Sequence, residues 1–166
     1  MPCPPTGKDV KHTDGEPIDV KALALSTFDS IEGPVMHFFV TDGFVSEQKK
    51  EEISSFLNFN MSTDYFILRV DDLTTYNVHF TIRSEVARGK IEMLMLSLVV
   101  DNFPSKKMES FFLQEAREFI AFLKAESGAG HLFHLERQRS DEEIEAVGRV
   151  YEDSLSRLHQ ILGRMP

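Results

Sequence analysis

Apolar and polar positions alternate along the first half of the chain and gather into helical stripes along the second, with one run that does neither. Residues 91–100 (IEMLMLSLVV) are apolar almost throughout. A run of about ten residues, rich in Val, Ile, Leu and Met, predicts a strand buried on both faces. Residues 20–28 set Leu23, Leu25 and Thr27 against Ala22, Ala24 and Ser26, and the small face predicts close packing under a neighbouring element. Residues 29–34 are dense in turn formers, with Gly33-Pro34 the strongest punctuation. Residues 35–40 read as a second strand, antiparallel to the first because the connection is so short. Residues 65–70 predict a third strand. Residues 71–75 read as a turn, and Tyr76, Val78, Phe80 and Ile82 share one face of a fourth strand at period two.

Three helices complete the pattern. Ser46 is placed as the cap of a short, peripheral helix reaching Leu57, with Ile53, Phe56 and Leu57 as its buried stripe. Ser105 caps a long helix whose face carries Met108, Phe111, Phe112, Glu115, Ala116, Phe119, Ile120 and Leu123, closed by the glycines of Ser127-Gly128-Ala129-Gly130. Residues 131–139 are amphiphilic and assign to nothing. Ser140 with Glu143 spells a capping box, and Ile144, Val147, Tyr151, Leu155, Leu158 and Leu162 supply a stripe for the last helix.

Composition narrows the classes. The 166 residues make one domain of ordinary size, residues 20–163. Residues 1–19 carry Pro, Gly, Lys and Asp without periodicity and read as a disordered leader. A net charge of −9 disfavours nucleic acid and anionic lipid as main ligands. The single cysteine, Cys3, allows no internal disulfide. No apolar run reaches the roughly 18–20 residues of a membrane span, and no secretory signal opens the chain. The reading is a cytoplasmic protein without a transmembrane segment.

Candidate chemistry is sparse. There is no dinucleotide-binding or phosphate-binding glycine motif and no nucleophile elbow, so a small-molecule hydrolase is disfavoured. His131 and His134 are three residues apart, a spacing that two metal ligands can share, but no cysteine is nearby and a catalytic metal site usually needs a third protein ligand. The expectation is exposed linker histidines, no metal and no cofactor. Phe38 and Phe39 occupy the two sides of one strand. Both belong to the core, or one of them to a partner interface if that strand lies at the sheet edge. Arg88 sits in a polar loop, Ser84-Glu85-Val86-Ala87-Arg88-Gly89-Lys90, at the mouth of the apolar run. One reading makes it a surface arginine beside a glycine that supplies a positive φ. The other makes it an outward cation on a rigid base, able to stabilise a phosphoryl-transfer transition state in another protein's site.

Strand, strand, helix, three strands and two helices is the order of the longin domain, and local sequence agrees. Phe28-Asp29-Ser30-Ile31-Glu32-Gly33-Pro34-Val35 resembles the Asp-x-x-x-Gly-Pro turn between the first two strands of longin and related roadblock-type proteins. Ser84 to Gly89, followed by a long apolar strand, resembles the Ser-x-Ala-Arg-Gly loop of folliculin-type longin domains, with the serine one residue earlier and Glu85 in its place. The resemblance spans residues 20–163. It implies an α/β (α+β, three-layer) domain, a five-stranded antiparallel sheet with one helix on one face and two on the other.

It also implies a non-catalytic platform that pairs with another longin or roadblock domain, as a homo- or heterodimer, and binds or regulates a Ras-like small GTPase. Peripheral membrane association would come through such partners. In folliculin-type members the loop arginine is an arginine finger, and that position here is Arg88. The candidate interface for such a partner is Gly33 and Pro34 with Phe38 and Phe39 of the same strand. The sequence departs from folliculin in carrying no DENN-like domain after the longin, and the resemblance points to a minimal regulator, archaeal in origin. Fold alone also admits a vesicle-trafficking adaptor or SNARE-like longin that holds a linear peptide, although no coiled-coil heptads follow Leu162.

Overall fold

The computed structural model describes residues 20–58, 64–135 and 140–166. In chain order the elements are β1 (Lys21–Asp29), β2 (Gly33–Thr41), α1 (Glu47–Ser55), β3 (Tyr65–Val70), β4 (Leu73–Arg83), β5 (Ile91–Val100), α2 (Lys106–Ala125) and α3 (Asp141–Arg164). Short 3-10 turns follow α1 at Phe56–Asn58 and α2 at Ala129–Phe133. The expected leader, residues 1–19, lies outside the described residues.

The five strands form one antiparallel sheet in the order β2-β1-β5-β4-β3. The apolar run is its centre, as its composition predicts. Leu94, Leu96, Leu98 and Val100 face a core shared with α2 and α3, while Met95 and Val99 face the core under α1. One helix therefore covers one face and two cover the other. The small residues of β1 explain how the short helix sits so close: Ala22 is fully buried against the cluster of Ile53, Phe56 and Leu57. Three buried polar side chains on that face bond to one another. Ser97 Oγ donates to Asn77 Oδ1 at 2.8 Å, and Asn77 Nδ2 donates to Thr75 Oγ1 at 2.9 Å.

The caps lie where the sequence places them. Ser105 Oγ accepts the Met108 N–H at 3.2 Å, and the Ser105 N–H itself donates to the buried Tyr76 hydroxyl at 3.0 Å. Ser140 and Glu143 form the reciprocal capping box. Among the described residues, no helix is long and apolar enough to cross a membrane.

Four local expectations are corrected. Leu73 to Thr75 belong to β4, because Asp71-Asp72 alone makes the hairpin turn: Val70 pairs with Leu73 and Asp71 takes φ 54. The buried face of α3 is Val147, Val150, Ser154, Leu158 and Ile161, whereas Ile144 and Tyr151 are 56% and 40% exposed. A small serine whose Oγ donates to the Val150 carbonyl at 2.6 Å lets the helix approach on a face that hydropathy alone does not select. The glycines after α2 do not cap it; Gly128 and Gly130 lie in and beside the 3-10 turn. Finally, β5 is buried on both faces only from Leu94 onward, since Ile91 and Met93 are exposed while Glu92 between them is buried.

Candidate functional site

Arg83 pairs with Ile91 at the end of the β4–β5 ladder, which leaves residues 84–90 to reverse the chain. Ser84 N–H donates to the Lys90 carbonyl at 3.0 Å and carries the ladder one bond further. Lys90 N–H donates to the Ala87 carbonyl at 3.1 Å, closing a turn over Ala87-Arg88-Gly89-Lys90. Gly89, at φ +87, holds the third position of that turn, where a type II geometry excludes most side chains. Lys90 follows at φ 64, a conformation that costs a non-glycine residue about 1–2 kcal/mol. Its ammonium donates to the Glu85 carbonyl at 3.1 Å and helps to hold it there. Arg88 stands exposed at the tip.

The base of the loop is buried and polar. Ser84 Oγ accepts the Ala87 N–H at 3.1 Å and donates to Glu92 Oε1 at 3.0 Å. His134 Nε2 lies 2.5 Å from the same carboxylate oxygen. The Glu92 and His134 side chains are only 4% and 13% exposed. A carboxylate can only accept, so its two neighbours donate to it and compensate its burial. Gly130 completes the base: a Cβ there would stand 2.7 Å from Ser84 Cβ and Oγ and 2.8 Å from its Cα. The 3-10 turn thus lies directly against the loop, and Phe133 of the same turn meets the His37 ring of β2 edge-on at 5.0 Å.

His134 is accordingly no exposed linker residue, and its partner is the one strand carboxylate that periodicity does not explain. Among the described residues, no group of three or more His, Cys, Asp and Glu side chains could hold a metal ion. Ser84 is 5% exposed, and its hydroxyl ties Glu92 to the backbone of the loop.

The other candidates divide between this end of the sheet and the middle of β2. Gly33 and Pro34 open β2 where β1 ends, and Gly33 pairs with Asp29. Asp29 Oδ1 accepts the N–H groups of Ile31 and Glu32 at 2.7 and 2.9 Å, with the Glu32 and Ile31 bonds holding that carboxyl below its usual range. The turn and the Arg88 loop therefore share one end of the sheet. Phe38 lies further along β2, 4% exposed, with its ring 5.0 Å from that of Tyr151 on α3. Phe39 is half-buried on the opposite face, beneath Lys50 Nζ at 4.6 Å. β2 itself is an edge strand.

Around the loop, exposed apolar side chains stand beside charged ones of both signs. Ile91, Met93 and Phe28 are 55%, 47% and 40% exposed, and alternation puts Ile91 and Met93 on one face of β5. A cleft of about 670 Å³ separates the loop from the end of α2, lined among others by Ser84, Glu85, Lys90, Lys124 and His131. No protein-family model matches the chain, and no curated protein matches it either. The site stands on its geometry: an exposed guanidinium on a loop with a buried polar base, at the end of a three-layer antiparallel α+β fold.

Proposed function

We propose that the protein is a non-catalytic platform that binds a Ras-like small GTPase and presents Arg88 to it in trans as an arginine finger. The observation that carries this reading is the presentation of Arg88. It is exposed at the tip of a short turn whose base is fixed by backbone and buried side-chain hydrogen bonds. A transferring phosphoryl group needs positioned positive charge and little else from an activator. Exposed Ile91, Met93 and Phe28 beside the loop give a protein partner an apolar surface to cover. The order of elements and the Gly33-Pro34 turn agree with the longin resemblance, and the same resemblance supports a cytoplasmic regulator that pairs with a second longin or roadblock domain. β2, as an edge strand, offers a place for that pairing by strand addition.

The open edge of β2 also favours a second reading, an adaptor that takes a linear peptide as an added strand. A pull-down against Ras-like GTPases from the same genome, with nucleotide state controlled, separates the two. Binding that depends on the GTP-bound or transition-state-analogue form supports the platform. Binding to none of them in any state removes it in favour of the adaptor.

A further inference from the structure

One path of side-chain hydrogen bonds runs from the Arg88 turn into the core below it. Ser84 holds the turn at Ala87 N–H, Glu92 holds Ser84, and His134 holds Glu92 from the far side. Glu92 is the only acidic residue within the central strand, Ile91–Val100, and burying a carboxylate there is costly unless it is well bonded. An apolar residue at this position would continue the strand at no such cost. A serine hydroxyl rotates freely unless both its donor and acceptor roles are fixed. Here the hydroxyl donates to the Glu92 carboxylate, which leaves an oxygen lone pair aimed at the Ala87 N–H. The backbone supports the same arrangement, because Gly130 brings the 3-10 turn within contact of Ser84 and sets His134 over the carboxylate.

We propose that Glu92 is a positioning residue for the Arg88 loop, acting through Ser84 and itself oriented by His134. It fixes the conformation from which the arginine is presented. The proposal rests on the finger reading for its functional meaning, but its physical content concerns the loop alone.

The test is amide hydrogen exchange on the full chain, compared across Glu92→Met, Glu92→Gln and Ser84→Ala, with stimulated GTP hydrolysis by a panel of Ras-like GTPases as a second readout. Met matches the length of Glu without an acceptor, while Gln keeps an acceptor oxygen. E92M is expected to speed exchange at Ala87 and Lys90 about fivefold, the factor that loss of one hydrogen bond of average strength gives, with protection in β1 and α2 unchanged. E92Q should restore both amides to within about twofold, because its oxygen can still take the two donors. S84A removes the Ala87 acceptor directly and sets the size of the full loosening; if E92M does not fold, Glu92→Ala, which keeps Ser84 and His134, decides at the same two amides.

Unchanged exchange at Ala87 and Lys90 in the folded variants overturns the proposal. So does a uniform rise over the whole chain, which marks general destabilisation instead. In the hydrolysis assay the folded E92M protein should lower the stimulated rate while leaving GTPase affinity within about twofold, with E92Q rescuing the rate. A loosened loop together with no stimulation by the unmodified protein removes the finger reading and leaves the positioning of the loop standing.

Discussion

Gly130→Ala adds a single methyl group and tests whether the 3-10 turn is fixed against the Arg88 loop. The new Cβ would lie 2.7 Å from Ser84 Cβ and Oγ and 2.8 Å from Ser84 Cα, where non-bonded carbons settle at about 3.5–4.0 Å. Two of those atoms cannot rotate away, so the turn or the loop must move by roughly 1 Å. Overpacking of this kind costs about 1–3 kcal/mol. Opposing it, Gly130 has no positive φ, so alanine is conformationally allowed and narrows the unfolded ensemble by about 0.4–1 kcal/mol. The clash wins, with a net destabilisation of about 1–2 kcal/mol. In a chain of this length that lowers Tm by roughly 2–8 °C. Thermal unfolding followed by circular dichroism measures it. Ser84→Gly in the same chain removes two of the three clashing atoms, so the double variant should recover part of the loss beyond additivity. A G130A protein with wild-type Tm would refute the close contact on which the account of the loop's base depends.

Other consequences are simpler to state. Gly89→Ala meets no atom within 4 Å but must hold φ +87, so chemical denaturation should show a loss of about 1–2 kcal/mol from conformation alone. Tyr76→Phe leaves the Ser105 N–H without its 3.0 Å acceptor at the start of α2 and should cost about 1–3 kcal/mol by the same measurement. His79 is held below the usual imidazole range chiefly by desolvation, with Asp64 opposing. Its folded state therefore resists protonation. The stability it contributes is present above about pH 6.5 and declines as the pH falls through that value toward the lower folded pKa. A pH series of Tm values should show this decline, and His79→Phe should flatten it.

Much of the architecture was legible because the deciding signals are local. Ser105 and Ser140 precede apolar stripes and cap helices, and the ten-residue run of β5 has no solvent-facing side beyond Leu94. Where reading failed, the deciding contact was distant in sequence or steric. Asp71-Asp72-Leu73-Thr74-Thr75 looks like an extended turn, yet pairing with β3 and β5 draws its last three residues into β4. Hydropathy sets Ile144 and Tyr151 on the stripe of α3, but the helix presents Ser154 to the core because a small residue permits closer approach.

The site divides in the same way. Arg88 and Gly89 announce a turn from their own chemistry. Glu92 carried a signal, a lone carboxylate between Ile91 and Met93 in an apolar strand. Its meaning required His134, 42 positions away, on a segment with no periodic pattern. Gly130 looked like a helix terminator, and only the packed fold gives it a neighbour.

The most direct measurement of the central claim is single-turnover GTP hydrolysis by the GTPase that binds best, with the unmodified protein, Arg88→Ala and Arg88→Lys compared at matched occupancy. The account predicts stimulation by the unmodified chain, loss of about 10³–10⁵ in rate for R88A with binding nearly intact, and little rescue by lysine, whose ammonium lacks the planar fork of a guanidinium. Equal stimulation by R88A and the unmodified protein would contradict it.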